Sequence, residues 1–141
     1  MASNVYPKWK NKLLQNDADS ALNSAEGATG VYVALVNTAV YTYDTAHDFY
    51  NDITGVLADE VEILTKTQVD STFDGDDVTF TAVANTGVTG NALVLYRKNA
   101  GANTTWPVIV FLDDGDVTNL PVTPNGGDIT VAWNASGIFT L

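Results

Sequence analysis

Cysteine is absent from this 141-residue sequence, and histidine occurs once, as His47. The lack of cysteine excludes disulfides, thiol catalysis and zinc–thiolate sites. A single histidine without cysteine also leaves too few soft ligands for a transition-metal site. We therefore expect a fold that is held by its hydrophobic core alone, with no metal and no cofactor.

Long apolar runs are missing as well. No segment approaches the 18 apolar residues of a membrane-spanning helix, and the first ten residues, MASNVYPKWK, lack the apolar stretch of a signal peptide. Apolar residues nevertheless make up 45% of the chain, which is typical of a globular protein and not of a disordered one. We expect neither a membrane contact nor Sec-type export.

Basic residues are scarce and unevenly placed. Six Lys and Arg against seventeen Asp and Glu give a net charge of −11, yet Lys8, Lys10 and Lys12 fall in the first twelve residues, where there is no acid. The remaining residues therefore carry three basic and seventeen acidic side chains, or −14. An acidic body repels phosphate backbones, so we expect no nucleic-acid partner. The basic start is either a tether or the solvated face of a first helix.

The N-terminal segment has its own pattern. Proline at a first helical position and the four-residue spacing of Trp9 and Leu13 predict a short amphipathic helix over Pro7–Gln15. Small residues from Asn23 to Gly30 are typical of a linker. The prediction is a basic helical arm and linker over residues 1–29, followed by a second region over residues 30–141.

From residue 30 onward the pattern is that of strands. Short apolar runs such as Val31–Val36, Ala92–Tyr96 and Val108–Leu112 are joined to alternating segments by turns rich in Gly, Asn and Asp. About eight strands predict an all-β fold, an antiparallel β-sandwich of jelly-roll or Ig-like type, with one small inserted helix near Thr45–Ile53. The expected core comprises Val33, Leu35, Phe80, Leu93, Leu95, Ile109, Phe111, Ile129, Val131 and Trp133.

Residues that could carry chemistry are few. His47 has no catalytic motif beside it and is interpreted as a packed or capping side chain. The acidic turns Asp74–Asp77 and Asp113–Asp116 could bind calcium, but Asp and Gly are also the ordinary residues of hairpin turns. Trp106 and Trp133 adjoin apolar strands and are expected in the core, whereas Trp9 accompanies the lysines of the arm.

Several segments together resemble a known group of proteins. They are Val5–Lys10, Val33–Asn37 with Tyr41–Tyr43, His47–Tyr50, Phe73–Asp74 with Asp77–Val83, Ala92–Tyr96 and, most specifically, Leu120–Asn134. In this order they resemble small virion proteins of tailed bacteriophages, and the resemblance covers most of the chain. It implies a structural protein of the virion head, of the decoration or cement type, bound to the head exterior. No catalytic motif comes with the resemblance.

This resemblance and the charge pattern lead to one expectation about partners. A decoration protein would bind the major capsid protein and copies of itself as a homo-oligomer, and weak contacts would add up over a symmetric lattice. The residues expected at the contact are Tyr6, Lys8, Trp9, Lys10, Lys12 and Leu13, with Trp9 as the anchor. Two alternatives stay open: a tail or fibre module that binds host glycans through exposed Trp106 or Tyr96, and a small hydrolase with an Asp pair.

Overall fold

A computed structural model describes residues 4–27 and 29–141. The fold is all-β, with antiparallel strands and one short α-helix, α1 (Pro7–Leu14). The strands are β1 (Asn4–Val5), β2 (Val31–Val36), β3 (Val56–Glu62), β4 (Thr67–Val69), β5 (Thr72–Asp74), β6 (Val78–Phe80), β7 (Ala92–Arg97), β8 (Val108–Asp113), β9 (Ile129–Val131) and β10 (Phe139–Thr140). The predicted fold class is confirmed, while the jelly-roll or Ig-like arrangement stays a prediction.

The main sheet has five strands in the order β1-β8-β7-β2-β3. Its three central strands are the continuous apolar runs of the sequence, and every side chain of β2 and β7 is buried. A strand covered on both faces needs apolar side chains at odd and even positions alike, which explains the absence of alternation. The remaining strands form a sheet in the order β10-β5-β4 and a β6-β9 pair.

The predicted core is confirmed. All ten residues expected there are buried, and so is Trp106. One detail of the alternating segment after Asp77 is wrong. Ala82 was expected to share the inward face of Val78 and Phe80, but β6 ends at Phe80, Ala82 takes a φ of 49° and is exposed, and Val83 is buried in its place.

The expected helix over Thr45–Ile53 is also wrong. Only a 3-10 turn forms there, at Tyr50–Asp52, and the residues before it are non-helical. The reason is tertiary, because the backbone of this segment bonds to a neighbouring one: the Tyr50 N–H donates to Trp106 O at 2.8 Å, and the Val108 N–H donates to Asp48 O at 3.1 Å. A helix would have withdrawn these groups from the pairing.

The N-terminal segment is not a detached arm. β1 extends the main sheet by pairing with β8, and the Tyr6 N–H donates to Ile109 O at 2.9 Å. Helix α1 ends one residue before the predicted boundary and packs Trp9 into the same hydrophobic cluster as the strands. The tether interpretation is therefore corrected: an apolar helical face at this position is covered by the chain's own sheet.

Candidate functional site

Helix α1 divides the residues expected at a partner contact into two groups. Tyr6 and Trp9 are completely buried, and Leu13 is half-buried against the same core. Lys8 and Lys10 are exposed, and Lys12 is half-buried. Because residues 6, 9 and 13 recur at helical spacing, they share one face, and the other face is left to solvent.

The inward face is fixed by specific contacts. The Trp9 indole N–H donates to Ser20 O at 3.1 Å, and its ring meets Phe139 edge to face at 6.0 Å between ring centroids. The expectation that Trp9 anchors a neighbouring protein is therefore corrected, since its whole side chain is occupied within its own chain. Trp9 instead holds the helix rigidly against the core.

The outward face combines positive charge with an exposed apolar side chain. Lys10 and Leu14 are four residues apart, and Leu14 is 87% exposed. We call Lys8, Lys10 and Leu14 the basic face of α1. Among the described residues, salt bridges join Lys12 to Asp17, Lys66 to Glu26 and Lys98 to Glu60, but none involves Lys8 or Lys10. These two ammonium groups are free to meet carboxylates of another molecule.

Lys12 differs from its two neighbours because it serves the fold. Its ammonium lies 3.2 Å from Asp17 Oδ2 and 5.2 Å from the centre of the Phe49 ring. Asp17 also accepts from the Asp19 N–H at 2.9 Å. This backbone hydrogen bond, together with that from Lys12, holds the pKa of Asp17 below its usual range. Lys12 thus fixes the turn that follows the helix.

His47 belongs to a hydrogen-bonded group behind the helix. The hydroxyls of Tyr6 and Tyr41 are 2.5 Å apart, and the Tyr41 hydroxyl lies 2.9 Å from His47 Nδ1. Burial raises the pKa of Tyr41 to about 12, and burial followed by the charge on Tyr41 raises that of Tyr6 further. The chain of hydroxyls satisfies buried polar groups, which agrees with the interpretation of His47 as a packed side chain.

A second aromatic group lies at the other end of the central strands. Tyr50 stacks on Tyr96 with ring centroids 4.1 Å apart, and Trp106 stacks on Tyr96 at 5.8 Å. The Lys98 ammonium lies 5.0 Å from the centre of the Trp106 ring. Tyr96 is fully buried and Trp106 is 8% exposed. Their faces are thus occupied within the chain, and they do not form the open groove that a glycan platform would need.

The acidic turns use their carboxylates locally. In the first, Asp76 Oδ2 accepts from the Thr65 hydroxyl at 2.8 Å, and Asp77 Oδ1 accepts from the Trp133 N–H at 3.0 Å. In the second, Asp113 Oδ1 accepts from the Gly115 N–H at 3.0 Å. Within the described ranges, no three acidic or histidine side chains are grouped so as to hold a metal ion. These contacts support the interpretation of both segments as structural turns.

One apolar groove was not anticipated from the sequence. It has a volume of about 280 Å³ and is lined by side chains that include Val40, Val56 and Val88, of which Val40 is 63% exposed. These residues lie far apart in sequence, so no local pattern could reveal the groove. It carries no charged side chain, which suits apolar contact but provides no catalytic group.

The comparisons with known proteins add no relative. Within residues 4–27 and 29–141, no helix has the length and apolar character needed to cross a bilayer. Searches of protein families, of curated proteins and of solved structures find no significant match to this chain.

Proposed function

We propose that this chain is a non-enzymatic structural protein of a tailed-bacteriophage virion, a decoration or cement protein that binds the outer surface of the head. The observation that carries the proposal is the basic face of α1. Lys8 and Lys10 have no salt bridge within the described chain, and Leu14 is 87% exposed beside them. Free cations around an exposed apolar side chain are suited to contact with an acidic protein surface.

The rest of the chain strengthens this contrast. With a net charge of −11, the protein as a whole repels acidic surfaces, and only the α1 region presents positive charge without internal partners. The partner is therefore expected to meet the molecule in one orientation. Trp9 and Tyr6 hold the helix from behind, so little conformational entropy is lost when the basic face binds.

The resemblance of Leu120–Asn134 and the other segments to tailed-phage virion proteins supplies the kind of particle. The major capsid protein is the proposed partner, and many copies on a lattice would make individually weak contacts sufficient. The glycan-binding alternative loses its proposed platform because Trp106 and Tyr96 are buried. No observation favours the Asp-pair hydrolase.

The test is incorporation into particles that lack this protein. Purified protein is added to such particles, unbound material is removed, and occupancy and position are determined by cryo-electron microscopy. We expect wild type on the head exterior and little occupancy for the double variant Lys8→Gln, Lys10→Gln, with an unchanged melting temperature. A matched control, Ala100→Asp with Ala135→Asp, changes the net charge equally at two exposed positions away from α1.

The outcomes separate cleanly. Normal occupancy of the lysine variant would refute the role of the basic face. Loss of occupancy in the control as well would mean that overall charge, and not this face, governs binding. Wild type located on the tail, or absent from particles, would refute the head assignment.

A further inference from the structure

Strand β4 presents an open edge of the β10-β5-β4 sheet. All three of its residues, Thr67, Gln68 and Val69, are exposed, and Val69 is 64% exposed. β4 pairs with β5 on one side, and no further strand follows it in the sheet. An edge strand displays unpaired backbone N–H and C=O groups, and such groups are completed by another strand.

The turn that closes the hairpin determines which groups point outward. Asp70 and Ser71 both have positive φ, 49° and 65°, and Val69 pairs with Thr72 across this two-residue turn. Such a turn makes Val69 and Thr72 a hydrogen-bonded pair, so the backbone groups of Gln68 face away from β5. Its partner Phe73 faces the opposite way, since Phe73 O accepts from the Ile138 N–H at 2.8 Å.

Nothing in the described chain occupies these outward groups. Apart from the pairing with β5, no backbone hydrogen bond among the described residues involves residues 67–69. The edge is also unprotected, because none of the three residues is charged or proline. The open edge of the main sheet is different: β3 carries exposed Asp59 and Glu60 and irregular pairing with β2, devices that discourage association.

We infer that β4 pairs with β4 of a second copy of this chain, antiparallel about a two-fold axis at Gln68. The edge is self-complementary, since the Gln68 N–H of each copy would donate to the Gln68 C=O of the other. The same register places Thr67 opposite Val69 and Lys66 opposite Asp70. Opposed charges thus replace the repulsion expected between two acidic chains. The paired sheets would form one continuous six-stranded sheet.

The second copy is favoured over a foreign strand by this charge pattern. Lys66 is held inside its own chain, where its ammonium donates to Ile63 O at 3.4 Å and lies 3.9 Å from Glu26. It therefore places a fixed positive charge behind the edge, at the position that an antiparallel copy would match with Asp70. The inference goes beyond the proposed function and does not depend on the capsid.

Sedimentation velocity of the full chain, from micromolar to millimolar concentration and at low and high salt, tests the inference. We expect a concentration-dependent dimer that strengthens with salt, because salt screens the repulsion between the acidic bodies. Gln68→Pro removes both intermolecular donors of the symmetric pair and should weaken association about tenfold or more. Its fold should persist, since this N–H lies outside the β4–β5 ladder.

A second variant guards against misfolding of the first. Val69→Lys places a charge on the edge, while Thr79→Lys makes the same charge change on β6, also at an exposed position. Both substitutions reduce the net negative charge, so both should favour non-specific association. Loss of the dimer in Val69→Lys but not in Thr79→Lys is the expected result.

Hydrogen exchange supplies an independent measurement. The Gln68 amide should exchange rapidly in dilute protein and slowly in concentrated protein, while the Val69 amide stays protected in both. A wild type that is monomeric throughout, or a dimer that survives both Gln68→Pro and Val69→Lys, would overturn the inference. Failure of particle incorporation with an intact β4 dimer would refute only the proposed function.

Discussion

The ring of Trp9 packs edge to face on the ring of Phe139, with centroids 6.0 Å apart and an angle of 82° between the ring planes. This contact joins helix α1 to β10, near opposite ends of the sequence. Both side chains are completely buried, and Phe139 also packs on Phe73 at 5.5 Å. The N-terminal helix and the β10-β5-β4 sheet therefore stabilise each other.

Trp9→Ala is expected to lower the free energy of unfolding of the isolated protein by about 3–5 kcal/mol, because it leaves a large cavity and removes the hydrogen bond to Ser20 O. Thermal and urea unfolding measure the change. Lys10→Ala, on the exposed face of the same helix, is the control and should alter stability by less than about 0.5 kcal/mol. Equal stability of wild type and Trp9→Ala would contradict the buried position of the indole.

Deletion of residues 138–141 is expected to destabilise the protein severely. It removes two buried side chains, Ile138 and Phe139, each contributing about 1.5–3 kcal/mol, and the bonds from the Ile138 and Leu141 N–H groups to β5 and its turn. Deletion of Leu141 alone is the control, since that side chain is 57% exposed. An unchanged melting temperature after the four-residue deletion would be inconsistent with β10.

The hydroxyls of Tyr6 and Tyr41 should be energetically coupled. Tyr41→Phe leaves the buried Tyr6 hydroxyl without its partner, so we expect a loss of about 1–3 kcal/mol. Tyr6→Phe should cost less, because Tyr41 keeps its hydrogen bond to His47. A double-mutant cycle on unfolding free energies measures the coupling. Strictly additive losses would show that the two hydroxyls do not interact.

Alkaline pH should unfold the protein through these tyrosines. Burial raises the pKa of Tyr41 from 10.0 to about 12, so the unfolded chain loses this proton more readily than the folded one. The stabilising contribution is therefore complete below pH 10 and is lost as the pH rises towards 12. Tyrosinate absorbance and circular dichroism, followed together against pH, check this. Ionisation of all six tyrosines near pH 10 with an unchanged fold would contradict it.

The amino-acid sequence by itself determined the fold class and most of the core. Continuous apolar runs such as Val31–Val36 can be satisfied only by strands covered on both faces, and Ile129, Val131 and Trp133 are buried as their alternation predicted. These patterns are local, since side-chain periodicity depends only on neighbouring residues. The helix at Pro7 was predictable for the same reason.

Tertiary structure alone decided what each local element packs against. The sequence shows that Trp9 and Leu13 share a helical face, but not that Phe139 and Ser20 receive Trp9. Likewise, the residues from Thr45 to Phe49 form no helix because Trp106 and Val108 compete for this backbone region. The groove at Val40 and the open edge at Gln68 also depend on distant segments. Long-range contacts of this kind leave no periodic trace in the sequence, because the residues that make them are not neighbours along the chain.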